Sequence, residues 1–559
     1  MKSGKLFGIV GGLAGLSIVL YYSLTAVQVD ISEPTAAVTD TTQHGASVYQ
    51  NCADLVELTS PQLAIVTASL RPAGEFDAPD DKTYITPSFC RIHGIAKPST
   101  DSEIHFEVWM PESNWTGRYY QLGNGGFSGA IHYAEMVPLL QSGNAVAMTD
   151  DGNQSKGLHA HWALNHPQKI VDWGHRGLKV TSDHSKALIK AFYGSEPNQS
   201  YFSGCSTGGR QALVAAQRYP DDWDGILVGA PSSLWQFVGF AWNQNALMDN
   251  PESHIPAAKL PALQQAAFQY CKAEAQVIDG IAADPRFCRF DPRILLCAGV
   301  ENDQCLTQPQ TEALQKLYAG PRHPQTGEQI YPGYEPTFEL SWAPAMIADE
   351  AGEVWQHFYA NQLFANMVFD NADWDFKTSS LQDNLKALEQ KRIAGQSLAR
   401  LMGTEPNADL GRLEEKGGKI LMYFGWGDAL VAPQSGIDYY SRARAALGDQ
   451  RTEDFFRLFM VPGMGHCSGG AGTDVFGQIF SPPIMMDSPQ YNVTRALESW
   501  VEKGIAPETI IAAKYNNNNP DEGTAMTRPL CPYPKVPVYK GSGNIKEAAS
   551  FSCKQGAQP

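Results

Sequence analysis

The stretch YFSGCSTGGRQAL, residues 201–213, restricts the fold more than any other part of the chain. A β-prone apolar run ends in a cluster of small residues, and apolar side chains at helical spacing follow at once. Gly204, Ser206 and Gly208 make the pattern G-x-S-x-G. In that pattern a serine is held on a sharp strand-to-helix turn, and the small residues two positions to either side let strand and helix approach. The spacing therefore predicts strand, tight turn and helix here, with the Ser206 hydroxyl projecting from the turn.

The flanking sequence repeats that alternation. IHFEVWMP (104–111), GRYYQLGN (117–124) and NAVAMTDDG (144–152) read as strands, and 175–193 has helical spacing. QSYFSG leads into the serine turn, a helix runs from it towards Pro220, and WDGILVGAP (223–231) is a buried strand. Strand, helix and strand in turn predict an α/β fold with a largely parallel sheet covered by helices. From about 232 to 415 the alternation fades, aromatic residues are frequent and four cysteines cluster. It returns with GGKILMYFGWGD (417–428), FFRLFMVPGMGHC (455–467) and the helix YNVTRALESWVEKG (491–504). Residues 46–231 and 416–559 are thus two parts of one domain, and 232–415 is an insertion.

Lys2 and Lys5 precede an apolar run from Leu6 to about Ala26, a signal peptide or an N-terminal membrane anchor. A linker of Thr, Ala and Asp follows, from 27 to 45. The expected location is exported: periplasmic or secreted, with a membrane tether open. Ten cysteines, an even number, in an exported chain point to disulfides. Cys271 with Cys288, Cys297 with Cys305, and Cys531 with Cys553 are local couples. With 42 basic and 59 acidic residues the net charge is −17, and no basic run offers a nucleic-acid surface.

A nucleophilic serine needs a base, and the base needs an orienting carboxylate. On such a sheet the chain order is serine, acid, histidine. Of 13 histidines only His254, His323, His357 and His466 follow Ser206, and the first three fall in the insertion. His466 follows a strand in the glycine-rich PGMGHC, and Asp428 ends the preceding strand. Cys205 precedes the serine as Cys467 follows the histidine. A disulfide between them would hold nucleophile and base in register; the alternative is that each pairs elsewhere. For the oxyanion, Thr207 offers a backbone N–H, and Gly125 or Gly126 in LGNGGFSG (122–129) offers another.

These blocks, with AAQRYPDDWDGILVGAP, ALESWVEKGIAP and TRPLCPYPKVPVYKGSG, resemble the tannase and feruloyl esterase family over about residues 50–553. The resemblance implies an α/β-hydrolase fold whose insertion is a lid domain. It implies a Ser206–Asp428–His466 triad and the bridges Cys205–Cys467, Cys52–Cys90, Cys271–Cys288, Cys297–Cys305 and Cys531–Cys553. It further implies an exported serine carboxylesterase for small aromatic esters of the hydroxycinnamate (feruloyl) type, working through an acyl-enzyme. Gallate esters and monoesters of an aromatic diacid are the alternative substrates, and a catalytically silent binding protein is the alternative class. Trp355, Phe358, Phe364, Trp374 and Phe376 are available to line the lid side of a pocket, with core packing the other role for each. Family lids carry a calcium loop after a cysteine. Here that stretch is CKAEAQVIDGI (271–281), where Lys272 and Ala275 occupy carboxylate positions and only Asp279 remains. The expectation is no cofactor and no metal, with Lys272 paired to Asp279 or Glu274.

Overall fold

Nine strands make one sheet: β1 (Leu63–Arg71), β2 (Phe89–Ala96), β3 (Ile104–Pro111), β4 (Arg118–Leu122), β5 (Ala145–Thr149), β6 (Gln199–Cys205), β7 (Gly225–Gly229), β8 (Lys419–Gly425) and β9 (Phe456–Val461). Their order across the sheet is β1-β2-β3-β5-β4-β6-β7-β8-β9. β1, β2, β3 and β5 pair antiparallel. From β5 through β4 and β6 to β9 all pairs are parallel. This is the α/β-hydrolase fold expected from the sequence. The structure, a computed structural model, describes residues 51–155, 157–248, 251–349, 352–403, 409–484 and 486–556. The apolar run at 6–26 and the linker at 27–45 lie outside them.

The parallel strands are continuous apolar runs because helices cover the sheet. Every residue of β7, GILVG, is buried. β3 looks alternating in sequence, yet all but one of its residues are buried. Its Glu107 is accommodated inside by Arg91, the Trp109 indole N–H and the Tyr133 hydroxyl. α1 (Gly177–Tyr193) packs on β5 and β3, and α2 (Thr207–Arg218) on β6 and β7.

The insertion lies between β7 and β8 and adds no strand to the sheet among the described residues. It is mostly helical, and includes α3 (Leu234–Met248) and α4 (Trp355–Leu363). After β9, α5 (Val493–Lys503) returns to pack on β7 and β8. Its Glu502 takes a two-point bond from Arg118, at 2.6 and 2.8 Å, and accepts from the Tyr201 hydroxyl at 2.8 Å. The described residues form one compact unit, so the insertion is packed into the body of the protein. All five disulfides implied by the family pairing are formed.

Candidate active site

β6 ends at Cys205, α2 begins at Thr207, and Ser206 between them has φ 63° and ψ −120°. A non-glycine residue with positive φ is costly and survives only where its surroundings fix it. Here Ser206 N donates to Gly229 O at 3.0 Å, while Ser206 O accepts from Arg210 N and Ser232 N, both at 3.0 Å. The neighbouring glycines are required by close approach. A Cβ on Gly204 would sit 2.5 Å from the backbone of Gly208, and one on Gly209 would sit 2.1 Å from Gly229 O. The local sequence therefore permits the elbow, and the adjacent strand locks it.

Asp428 lies just past β8, its side chain fully buried. Oδ1 accepts from Leu430 N at 2.9 Å and Val431 N at 2.8 Å, and Oδ2 lies 2.7 Å from His466 Nδ1. His466 sits in a glycine-folded loop after β9, in which Gly465 N donates to Gly469 O at 3.0 Å. Cys205 and Cys467 are bonded across 262 residues of sequence, with Cα atoms 6.0 Å apart. Serine turn and histidine loop are thus joined covalently beside both side chains.

Ser206 and His466 open into one cavity of about 400 Å³, with Gly125, Gly126 and Thr207 also in its wall. Thr207 is the first residue of α2, where a backbone N–H has no intrahelical acceptor. The glycine loop is tied to this turn twice: Thr207 Oγ1 donates to Gly126 O at 2.8 Å, and Gly208 N to Asn124 O at 2.7 Å. Gly125, Gly126, Ser206 and Thr207 thus line the same space.

Leu158, Phe237, Phe240, Trp355, Tyr359 and Phe480 form the apolar wall. Burial pushes the Tyr359 phenol up to about 12, so it stays neutral. No Asp, Glu, Lys or Arg is among the described lining residues. Of the five insertion aromatics expected as candidates, only Trp355 reaches the cavity. Phe364 is a core residue with the half-buried Trp374 packed against it, Phe376 is buried against His357, and Phe358 meets His159. Residue type gave their apolar character, but position on the helix decides which one faces the void. Tyr359 follows Trp355 by four positions on α4, the helical spacing that would have found it.

In the stretch 271–281, where the resembled family carries a calcium loop, Ala275 is completely buried at one of the carboxylate positions. Lys272 does not take the expected role: it is exposed and pairs with neither Asp279 nor Glu274 in the described ion pairs. Asp279 lies within electrostatic reach of Arg528 but forms no ion pair with it among the described contacts. Burial lowers the affinity of that guanidinium for its proton, and Asp279 raises it.

A buried network below the glycine loop has no sequence signature. Gln211 Nε2 donates to Asp151 Oδ2 at 2.5 Å, and Gln211 Oε1 accepts from Asn124 N at 2.9 Å. Burial pushes the Asp151 carboxyl up to about 8, opposed by Arg210 and the Gln211 bond and helped by Asp172. An unfolded aspartate titrates near about 3.9. Between these values the folded state binds more protons than the unfolded one, so stability falls as pH rises through that window. Glu335, raised to about 8, and Glu339, raised to about 7, act in the same direction. Histidines such as the buried His175 and the half-buried His184, whose charging burial disfavours, act the other way up to about pH 6.5. The Asp151 contribution is therefore read as a difference: in thermal melts between pH 5 and pH 8, Tm should fall more, or rise less, in the wild type than in Asp151→Asn. No difference, or the opposite one, would contradict the assignment.

The family profile described as tannase and feruloyl esterase matches residues 90–554. The chain belongs to the tannase and feruloyl esterase family. It is a carboxylic ester hydrolase. An uncharacterized esterase of Xanthomonas campestris pv. campestris is 44% identical over 531 residues, covering 91% of this chain and 92% of its own. A probable feruloyl esterase B-1 of Aspergillus fumigatus is 33% identical, covering 84% of this chain and 86% of its own. The crystal structure of feruloyl esterase B from Aspergillus oryzae superposes with TM-score 0.80 at 28% identity, covering 90% of this chain and 99% of its own.

Proposed function

We propose that this enzyme is an exported serine carboxylesterase that hydrolyses uncharged aromatic esters of the feruloyl type through an acyl-enzyme. The carrying observation is the 2.7 Å contact between His466 and the buried Asp428, beside a serine on a strained elbow in the same cavity. In this reading His466 takes the Ser206 proton as the hydroxyl attacks the ester carbon. Asp428 holds the imidazole by Nδ1 and stabilises its charged form. Thr207 N–H with Gly125 or Gly126 N–H takes the oxyanion. His466 then protonates the departing alcohol, and a water repeats the sequence on the acyl group.

The wall selects the acyl group. An aromatic ring suits apolar side chains, and a few neutral polar groups (Ser128, Ser232, Gln236 and Tyr359) suit phenol and methoxy substituents. A free carboxylate would be buried with no cationic side chain in the described lining, at a cost of several kcal/mol. Methyl ferulate should therefore exceed monohydroxyethyl terephthalate in kcat/KM by about a hundredfold or more. Methyl gallate, with more hydroxyls to satisfy, should fall between them. The three-substrate panel tests this, and a preference for the charged monoester would overturn the choice of acyl group.

Export is supported by five disulfides and the apolar run at 6–26. Among the described residues no helix is long and apolar enough to cross a membrane. The lid is proposed to work without metal, since its loop lacks the carboxylates that calcium needs. An ion that binds the folded state raises Tm by mass action. Millimolar calcium or a chelator should therefore leave Tm unchanged, and a calcium-dependent rise lost in Asp279→Ala would restore a metal site.

A further inference from the structure

The insertion reaches the acid loop as well as the cavity. Ala429, Leu430, Val431 and Ala432, which lead from Asp428 towards the next helix, are all buried. Their backbone groups therefore need partners from the protein. Three insertion side chains supply them. Gln356 Nε2 donates to Ala429 O at 2.9 Å, the Tyr334 hydroxyl donates to Leu430 O at 3.0 Å, and Ala432 N donates to the Tyr331 hydroxyl at 2.9 Å. Gln356 is itself fully buried. It donates to the Tyr334 hydroxyl at 3.0 Å and accepts from Asn243 Nδ2 at 3.0 Å, so the support is a connected network.

The loop held in this way is the one whose Leu430 and Val431 N–H groups grip Asp428 Oδ1. With Oδ1 fixed, Oδ2 is left facing His466 Nδ1. We infer that Gln356 and Tyr334 are positioning residues for Asp428, so that the insertion aligns the triad as well as covering the substrate. The inference rests on the proposed roles of Ser206, Asp428 and His466. Adjacent residues of α4 divide the work: Trp355 walls the cavity, and Gln356 holds the acid loop. A displaced Leu430 carbonyl would turn its peptide plane and the neighbouring Val431 N–H, and the carboxylate would lose one of its two anchors. The cost should fall on the transition state, where the imidazolium depends on Asp428, and not on substrate binding.

Tyr334→Phe removes one oxygen, and Gln356→Ala removes the bond to Ala429 O together with those to the Tyr334 hydroxyl and Asn243 Nδ2. Gln264→Ala is the comparator, since Gln264 Oε1 accepts from Leu340 N at 2.8 Å and bonds no group of the acid loop. The readouts are kcat, KM and the low-field proton NMR resonance of His466 Nδ1–H. kcat should drop about tenfold in Tyr334→Phe and about a hundredfold in Gln356→Ala, with KM within about twofold. The resonance should move or broaden in both variants and stay in place in Gln264→Ala. Unchanged kcat and resonance in Tyr334→Phe would overturn the inference, and that variant decides even if Gln356→Ala does not fold. Asp428→Ala separates the two levels of the account. Wild-type kcat in it would sink the triad itself, whereas an impaired Asp428→Ala beside an unaffected Tyr334→Phe would sink only the positioning role.

Discussion

Ser206→Ala is expected to lower kcat by roughly 10⁴- to 10⁶-fold, the scale seen when a triad nucleophile is removed. The fold should be untouched. None of the described hydrogen bonds uses the Ser206 hydroxyl, while the backbone bonds to Gly229, Arg210 and Ser232 do not depend on the side chain. Alanine meets the same positive-φ cost as serine, so the elbow keeps its geometry. Residual activity should be independent of residue 206 and come from the oxyanion site and binding alone. Turnover within about tenfold of the wild type would place the nucleophile elsewhere.

Replacing Cys205 and Cys467 together by alanine should cost more stability than removing any other of the five disulfides. The bridge spans 262 residues, against 38 for the next longest. In the chain-entropy account a closure of that size is worth about 5 kcal/mol, an upper figure because the denatured chain keeps other crosslinks. The effect on catalysis follows from position. The two cysteines adjoin Ser206 and His466 in sequence, so removing the bond loosens the serine turn against the histidine loop. Small misplacements of reacting groups are expensive. kcat should fall more than KM changes, because the bond fixes the reacting groups and the apolar wall is built by other residues. Calorimetry and steady-state kinetics on the double variant check both effects. A double variant with wild-type Tm and kcat would show that the sheet alone holds the two loops in register.

Much of this site is legible in the sequence because its constraints are local. A serine between glycines after an apolar run has few other conformations available. Asp428 and His466 are picked out by chain order and by their places after two strands that read as continuous apolar runs. The cysteines beside Ser206 and His466 pair as their mirrored positions suggest. What sequence does not show is contact between distant segments. Trp355 faces the cavity while Phe364 and Phe376 do not, although all three are aromatic residues of the insertion. Lys272 has the right charge to meet Asp279, yet it lies in solvent and pairs with no carboxylate among the described ion pairs. Gln356 is one polar residue on a helix with nothing to mark it. Its meaning comes from Ala429 O, 73 positions away. The antiparallel edge formed by β1 and β2 is likewise hidden, since their sequences carry no distinctive run.

The central claim is that Ser206 is the nucleophile of a serine esterase, and stoichiometric labelling with an alkyl fluorophosphonate tests it most directly. Intact-mass measurement and peptide mapping should find one adduct per chain, on Ser206, with ferulate ester hydrolysis lost in proportion to labelling. An adduct on another residue, or full hydrolysis after complete labelling of Ser206, would contradict the account.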